Sequence, residues 1–170
     1  MNTILIYPEF EKVVAERLHA FRQKYDPNVD NWKPHITLLH PTLTTVNLDK
    51  LKDITQFDIV IEGSEISWDN LLFLTITTGT EQIQNIQKIL DLPASKPHIT
   101  IANLQLNPHE YDPTNPLKRE LDAERKNKAI AQLNTFFKPQ RIRVTHVTFE
   151  VLSEDYTKIL RQERIQLLHK

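Results

Sequence analysis

The sequence predicts a single α+β domain over residues 1–170, and three observations carry that prediction. Amphipathic stretches of helical period alternate with short β-branched runs, and several of those runs follow one another without an intervening helix. A chain of 170 residues with 39% hydrophobic side chains is also long enough for one sizeable core. Strands that succeed each other directly fit an α+β sheet better than a doubly wound one.

The elements follow in order. NTILIY (2–7) reads as a strand closed by Pro8. Residues 9–25 place Phe10, Val13, Val14, Leu18, Phe21 and Tyr25 near helical spacing, and Asp26-Pro27-Asn28 ends that helix. Pro34 opens the strand HITLL, which Pro41 stops. A short helix over 47–54 precedes strands at FDIVIE (57–62), SEISW (64–68) and NLLFLTITT (70–78), the last two a hairpin turning near Asp69-Asn70. Ile83, Ile86, Ile89 and Leu90 give the apolar face of a helix over 80–91, and HITIANL (98–104) is the next strand. Residues 105–117 are irregular and rich in Pro and Asn. A charged helix follows over 117–136, with Leu117, Leu121, Ala129, Ile130 and Leu133 as apolar members and Phe137 just beyond. RIRVTHVTFEVL (141–152) reads as one alternating strand, and ERIQLL as a closing one.

Composition excludes several classes. The net charge of −1 lacks the basic excess that long nucleic acid demands, so a nucleotide or an RNA end is the expected partner and a long duplex is not. With only Gly63 and Gly79, neither a Walker loop nor a dinucleotide fingerprint can be built, and no G-x-S-x-G elbow occurs. Any phosphate must be held by side chains. Cysteine is absent, which removes disulfides and thiolate chemistry. No apolar run approaches the roughly 20 residues of a membrane span. The opening MNTILIYPEF has no basic segment ahead of a long apolar stretch. Cytoplasmic location, a monomer and no membrane partner are the expectations.

The most informative feature is internal. Lys33-Pro34-His35-Ile36-Thr37 recurs unchanged as Lys96-Pro97-His98-Ile99-Thr100, 63 residues later. A shared five-residue word arises by chance in roughly one chain per hundred of this length. Both copies begin with Pro at a strand entrance, follow a helix and a loop, and continue as an apolar strand. A duplicated unit of pseudo-two-fold symmetry sets the two strands side by side or facing across a cleft. In a strand, residues i and i+2 share a face, so His35 points with Thr37 and His98 with Thr100, while the isoleucines pack inward. Two imidazoles and two hydroxyls in one cleft suit a phosphodiester. One imidazole takes a proton from water, the other gives one to the leaving oxygen, and the threonines bond the non-bridging oxygens.

These paired H-x-T segments resemble the two-histidine phosphoesterase superfamily, which includes 2′-5′ RNA ligase-like proteins and cyclic phosphodiesterases. The resemblance covers most of the chain. It implies a bilobal α+β fold with two pseudo-symmetric antiparallel sheets flanking a central cleft, helices on the outside, and metal-free hydrolysis of 2′,3′-cyclic phosphates. It implies His35 and His98 as the acid/base pair and Thr37 and Thr100 as phosphate-binding hydroxyls, with no cofactor. Asn103 stands where many relatives of the RNA ligase-like branch carry a basic residue. Cleavage of 2′-5′ linkages or cyclic dinucleotides, or a non-catalytic nucleotide- or RNA-binding module, are the alternatives.

Other residues carry weaker signals. A zinc site needs a third ligand, and neither H-E-x-x-H nor a cysteine cluster is present; His40, five residues after His35, faces away if the strand is regular. Lys33 and Lys96 are placed to steer an anion or to be solvated loop charges. Arg141 and Arg143 share a strand face, as phosphate ligands or, the plainer reading, as an exposed edge. Among Tyr7, Trp32, Trp68, Phe73 and Phe149, Trp32 is the best candidate to stack on a base, whereas Phe73 reads as core. Asp122 with Lys126 and Glu124 with Lys128 have the spacing of helix-surface ion pairs.

Overall fold

In the computed structural model, residues 1–26, 29–67, 70–104 and 114–169 are described. The elements run β1 (Asn2–Ile6), α1 (Lys12–Tyr25), β2 (Ile36–Thr42), a 3-10 turn (Leu48–Leu51), β3 (Phe57–Ile66), β4 (Leu71–Thr78), α2 (Thr80–Ile89), β5 (His98–Asn103), α3 (Pro116–Phe136), β6 (Gln140–Val144), β7 (His146–Leu152) and β8 (Ile159–Gln166). The strands form two four-stranded sheets, β2-β1-β7-β8 and β5-β4-β3-β6, and every ladder within them is antiparallel. The expected bilobal α+β arrangement of two antiparallel sheets is therefore the observed one.

The lobes are built on one plan. β1-α1-β2 in the first and β4-α2-β5 in the second are each a strand, a helix and a returning strand that pairs with the first. In both, alternation sends one set of side chains inward. Ile4, Ile6, Ile36 and Leu38 are buried on one sheet, and Leu72, Leu74, Ile99 and Ile101 on the other. They join Leu18 and Phe21 of α1, Ile83 and Ile86 of α2, and Ala129 and Leu133 of α3 in one continuous core. Each fully buried Ile or Leu there contributes roughly 1.5–3 kcal/mol. α3 lies against α1, where Gln132 accepts from Lys24 Nζ at 2.8 Å and from the Tyr25 hydroxyl at 3.1 Å.

Several boundaries differ from the sequence reading. β2 runs through Pro41 to Thr42 because it is an edge strand, where a missing N–H costs no ladder bond. The helix over 47–54 is a single 3-10 turn capped by Asn47. The two strands at 57–62 and 64–68 are one strand to Ile66, irregular at Gly63, whose φ of +77° suits a bulge. Gly79 lets β4 pass straight into α2, since a Cβ there would sit 2.6 Å from the Asp58 carbonyl.

The largest correction falls on 141–152, which is two strands in two different sheets. β6 ends the second lobe's sheet at Val144, and β7 enters the first lobe's sheet at His146. Of the predicted irregular stretch, 105–113 lies outside the described residues, as do Trp68, Asp69 and the side chain of Leu121. The ion pairs Asp122–Lys126 (2.5 Å) and Glu124–Lys128 (2.6 Å) are present. No helix among the described residues is long and apolar enough to cross a membrane.

Candidate active site

His35 stands one residue before β2 and His98 is the first residue of β5. Each follows a proline, whose fixed φ presets the extended entrance. The two imidazoles then make the same local bond. His35 Nδ1 lies 2.7 Å from the Lys33 carbonyl and His98 Nδ1 lies 3.0 Å from the Lys96 carbonyl. A carbonyl can only accept, so Nδ1 carries the proton in both, and Nε2 is left with the lone pair.

The match extends past the histidines. Thr37 pairs with Leu5 and Thr100 with Phe73; Leu39 then pairs with Ile4 and Ala102 with Leu72. Each ladder thus skips one residue directly after the threonine, Leu38 in β2 and Ile101 in β5. Both strands are sheet edges, and β2 lies in contact with β5, so the two motif strands are neighbours across the lobes. His35, Thr37, His98 and Thr100 are all half-buried.

Around His35 the site is deep. A cavity of about 1070 Å³ is lined by His35, Thr37, Tyr7, Trp32, Arg22 and Glu150 among others, all from the first lobe. The rings of Tyr7 and Trp32 each approach His35 edge-on at 5.9 Å. The Tyr7 hydroxyl donates to Glu150 Oε1 at 2.8 Å; burial and that carboxylate push its pKa upward. Burial lowers the His35 pKa below its ordinary value, reinforced by Arg22 and His40 and opposed by the Lys33 carbonyl and Glu150. Buried Arg22 organises the wall: it pairs with Asp26 at 3.1 Å, donates to the Trp32 carbonyl at 2.7 Å, and lies 4.2 Å over the Trp32 ring.

His98 has a different setting. Phe73 packs on it at 4.8 Å, and Thr75, its cross-strand partner, donates to the Glu62 carbonyl. Phe73 is half-buried on the Thr100 face, not in the core as the sequence suggested, because Leu72 and Leu74 take the inward positions.

His40 also departs from expectation. The bulge after Thr37 resets the alternation, and His40 lines the cavity. Trp32 lines it too, with one face covered by Arg22. Lys33 is exposed at its rim, while exposed Lys96 pairs with Glu65 at 3.7 Å. Arg141 and Arg143 sit on edge strand β6, held by Asp58 at 3.6 and 3.0 Å, an exposed edge as expected. Glu150 carried no sequence signal, since Tyr7 lies 143 residues away, whereas Arg22 and Asp26 stand at the i,i+4 spacing of a helix ion pair, a signal the sequence reading did not take up. Among the described residues, no group of three or more His, Cys, Asp or Glu is placed to hold a metal.

Comparison with known proteins fits this geometry. A model of the 2′-5′ RNA ligase superfamily matches residues 10–155. No curated protein matches the sequence. Among solved structures, apo LigT from E. coli is 14% identical with a TM-score of 0.52, over 98% of this chain and 97% of LigT. Usb1 from Kluyveromyces marxianus with uridine monophosphate is 11% identical with a TM-score of 0.52, over 96% of this chain and 98% of Usb1. LigT complexed with 3′-AMP is 14% identical with a TM-score of 0.50, over 97% of each chain. At such identities the structural likeness is one of fold. The family match spans most of the sequence and includes both H-x-T strands, and the chain belongs to the 2′-5′ RNA ligase superfamily, the two-histidine phosphoesterases.

Proposed function

We propose that this chain is a phosphodiesterase that opens 2′,3′-cyclic nucleotide phosphates, free or at RNA ends, with His35 and His98 as its acid/base pair. The observation that carries this reading is the mirrored geometry: two adjacent edge strands, each holding an imidazole with Nδ1 donated to its own backbone and Nε2 left for chemistry. Water attacks phosphorus and loses its proton to one Nε2. The bond from phosphorus to a ribose oxygen breaks, and the other imidazolium protonates that oxygen, leaving a monoester. We assign His35 as base, because its burial favours the neutral form, and His98 as acid. Thr37 and Thr100 donate to the non-bridging oxygens. The nucleotides in the 3′-AMP complex of LigT and the uridine monophosphate complex of Usb1 support a nucleotide substrate here.

A cavity of about 1070 Å³ stands at the upper end of small-molecule sites, which favours a second reading with room for a 2′-5′-linked or cyclic dinucleotide. The test is hydrolysis of 2′,3′-cyclic mononucleotides in EDTA by the native protein, His35→Ala and His98→Ala. Turnover that survives chelation and falls roughly 10²–10⁴-fold in each variant is the expected result. Native protein inert on these substrates and on dinucleotides is a binding module instead.

A further inference from the structure

One buried group beside His35 has no part in the proton transfers. Glu150 is 3% exposed and lines the cavity, yet no cation pairs with it among the described residues. A buried carboxylate without a cation is costly and is kept only where hydrogen bonds hold it. Here the Tyr7 hydroxyl (2.8 Å) and the Gln162 amide (2.7 Å) both donate to Oε1. Among the described residues none donates to Oε2, the oxygen left to accept from a ligand. Tyr7 spans the gap between this carboxylate and the His35 ring, so a substrate with its phosphate at His35 extends its far end toward Glu150. Tyr7, Trp32 and Tyr156 of the β7–β8 hairpin are the aromatic members of the same cavity lining. That is the setting in which a planar base is held by its faces and read at its edge.

Given the nucleotide reading of the site, we propose that Glu150 selects the base: Oε2 accepts from the exocyclic amine of adenine, cytosine or guanine and rejects uracil. Adenine and cytosine offer the N6 and N4 amines and guanine its N2 amine, whereas uracil offers carbonyls O2 and O4, and its one edge donor, N3–H, lies between those two oxygens, which repel a carboxylate. Glu150 is thus a specificity-determining residue.

The test is calorimetric binding of 3′-AMP, 3′-CMP and 3′-UMP to the native protein, Glu150→Gln and Tyr7→Phe. Native protein is expected to bind 3′-AMP and 3′-CMP about tenfold tighter than 3′-UMP, the worth of one charge-assisted bond. Glu150→Gln, which turns an amide N–H₂ toward the base, erases or inverts that ratio. Tyr7→Phe keeps the carboxylate and its Gln162 bond but removes one of the two donors to Oε1, so the preference keeps its sign and shrinks. A ratio taken within one variant is insensitive to general loosening of the wall. Equal binding of all three nucleotides, no binding, or a preference that survives in Glu150→Gln overturns the proposal. Turnover of cyclic nucleotides without base preference removes this inference alone; preferential binding without turnover removes the phosphodiesterase reading alone.

Discussion

His35 and His98 occupy equivalent positions of equivalent strands, with the same backbone-locked Nδ1 and the same skipped residue after the threonine. Their surroundings are not equivalent. His35 looks into a cavity walled by Tyr7, Trp32 and Glu150, whereas His98 packs on Phe73 and has a cross-strand threonine where the first lobe has Tyr7. What has been kept alike is the part that orients an imidazole and a hydroxyl; what has diverged is the part that meets the rest of a ligand. A phosphate group has near-symmetric oxygens and can be met from two sides by matched arms. A nucleoside is asymmetric and needs a wall on one side only. On the proposed reading, the first lobe carries the nucleoside and both lobes share the phosphate.

The sharpest way to break that division is to remove the hydroxyls one at a time. Thr37→Val and Thr100→Val keep shape and β-branching and lose only the donor. Each is expected to lower kcat roughly 10²-fold on a 2′,3′-cyclic nucleotide, with KM little changed, if both arms meet charge that grows in the transition state. Steady-state kinetics of the two variants decide it. A large loss in one and none in the other would refute matched arms and leave a single working lobe.

A second comparison sets one ion pair in each lobe against the other. Arg22 and Asp26 are buried, with side chains 3% and 0% exposed, while Lys96 and Glu65 are exposed. Asp26→Asn leaves a buried guanidinium without its counter-charge, and should cost about 3 kcal/mol in urea unfolding. Because Arg22 also holds the Trp32 carbonyl and ring, the same variant should weaken nucleotide binding. Glu65→Gln should change stability by less than about 0.5 kcal/mol. Comparable losses in the two variants would mean that the cavity wall does not depend on its buried pair.

How far all this could be read from the sequence depended on whether a feature is local. The repeated word, its proline entrance and the i, i+2 sharing of a face are local, and they point to the four central side chains and the two-lobed plan. The bulge after each threonine is not local. No Gly or Pro marks it; it is imposed by pairing with β1 and β4, far off in sequence, so His40 was placed on the wrong face. The Tyr7–Glu150 contact joins residues 143 apart and leaves no trace in spacing. One miss did have a signal. In 141–152 the apolar members are Ile142 and Val144, then Val147, Phe149 and Val151. The phase reverses between them, and there the chain leaves one sheet for the other.

That crossing carries the smallest effect. His146 opens β7, is 6% exposed, and has Nδ1 at 3.1 Å from the Thr145 hydroxyl, while buried Nε2 has no hydrogen-bond partner among the described residues. Burial first, and Arg164 second, lower its pKa below the ordinary 6.5, against a weaker opposite pull from Glu9. The unfolded chain therefore binds this proton more readily than the folded one. Stability from the neutral imidazole is full above pH 6.5 and is lost as pH falls through the folded value, by at most about 1.4 kcal/mol per pH unit. His35, lowered by the same cause, adds a loss of the same sign from within the first lobe. His146→Gln removes one share and His35→Gln the other, so chemical denaturation of both variants between pH 7 and 5 apportions the acid sensitivity between lobe junction and site. A slope unchanged by His146→Gln would mean that water reaches Nε2, and that the junction opens enough to solvate it.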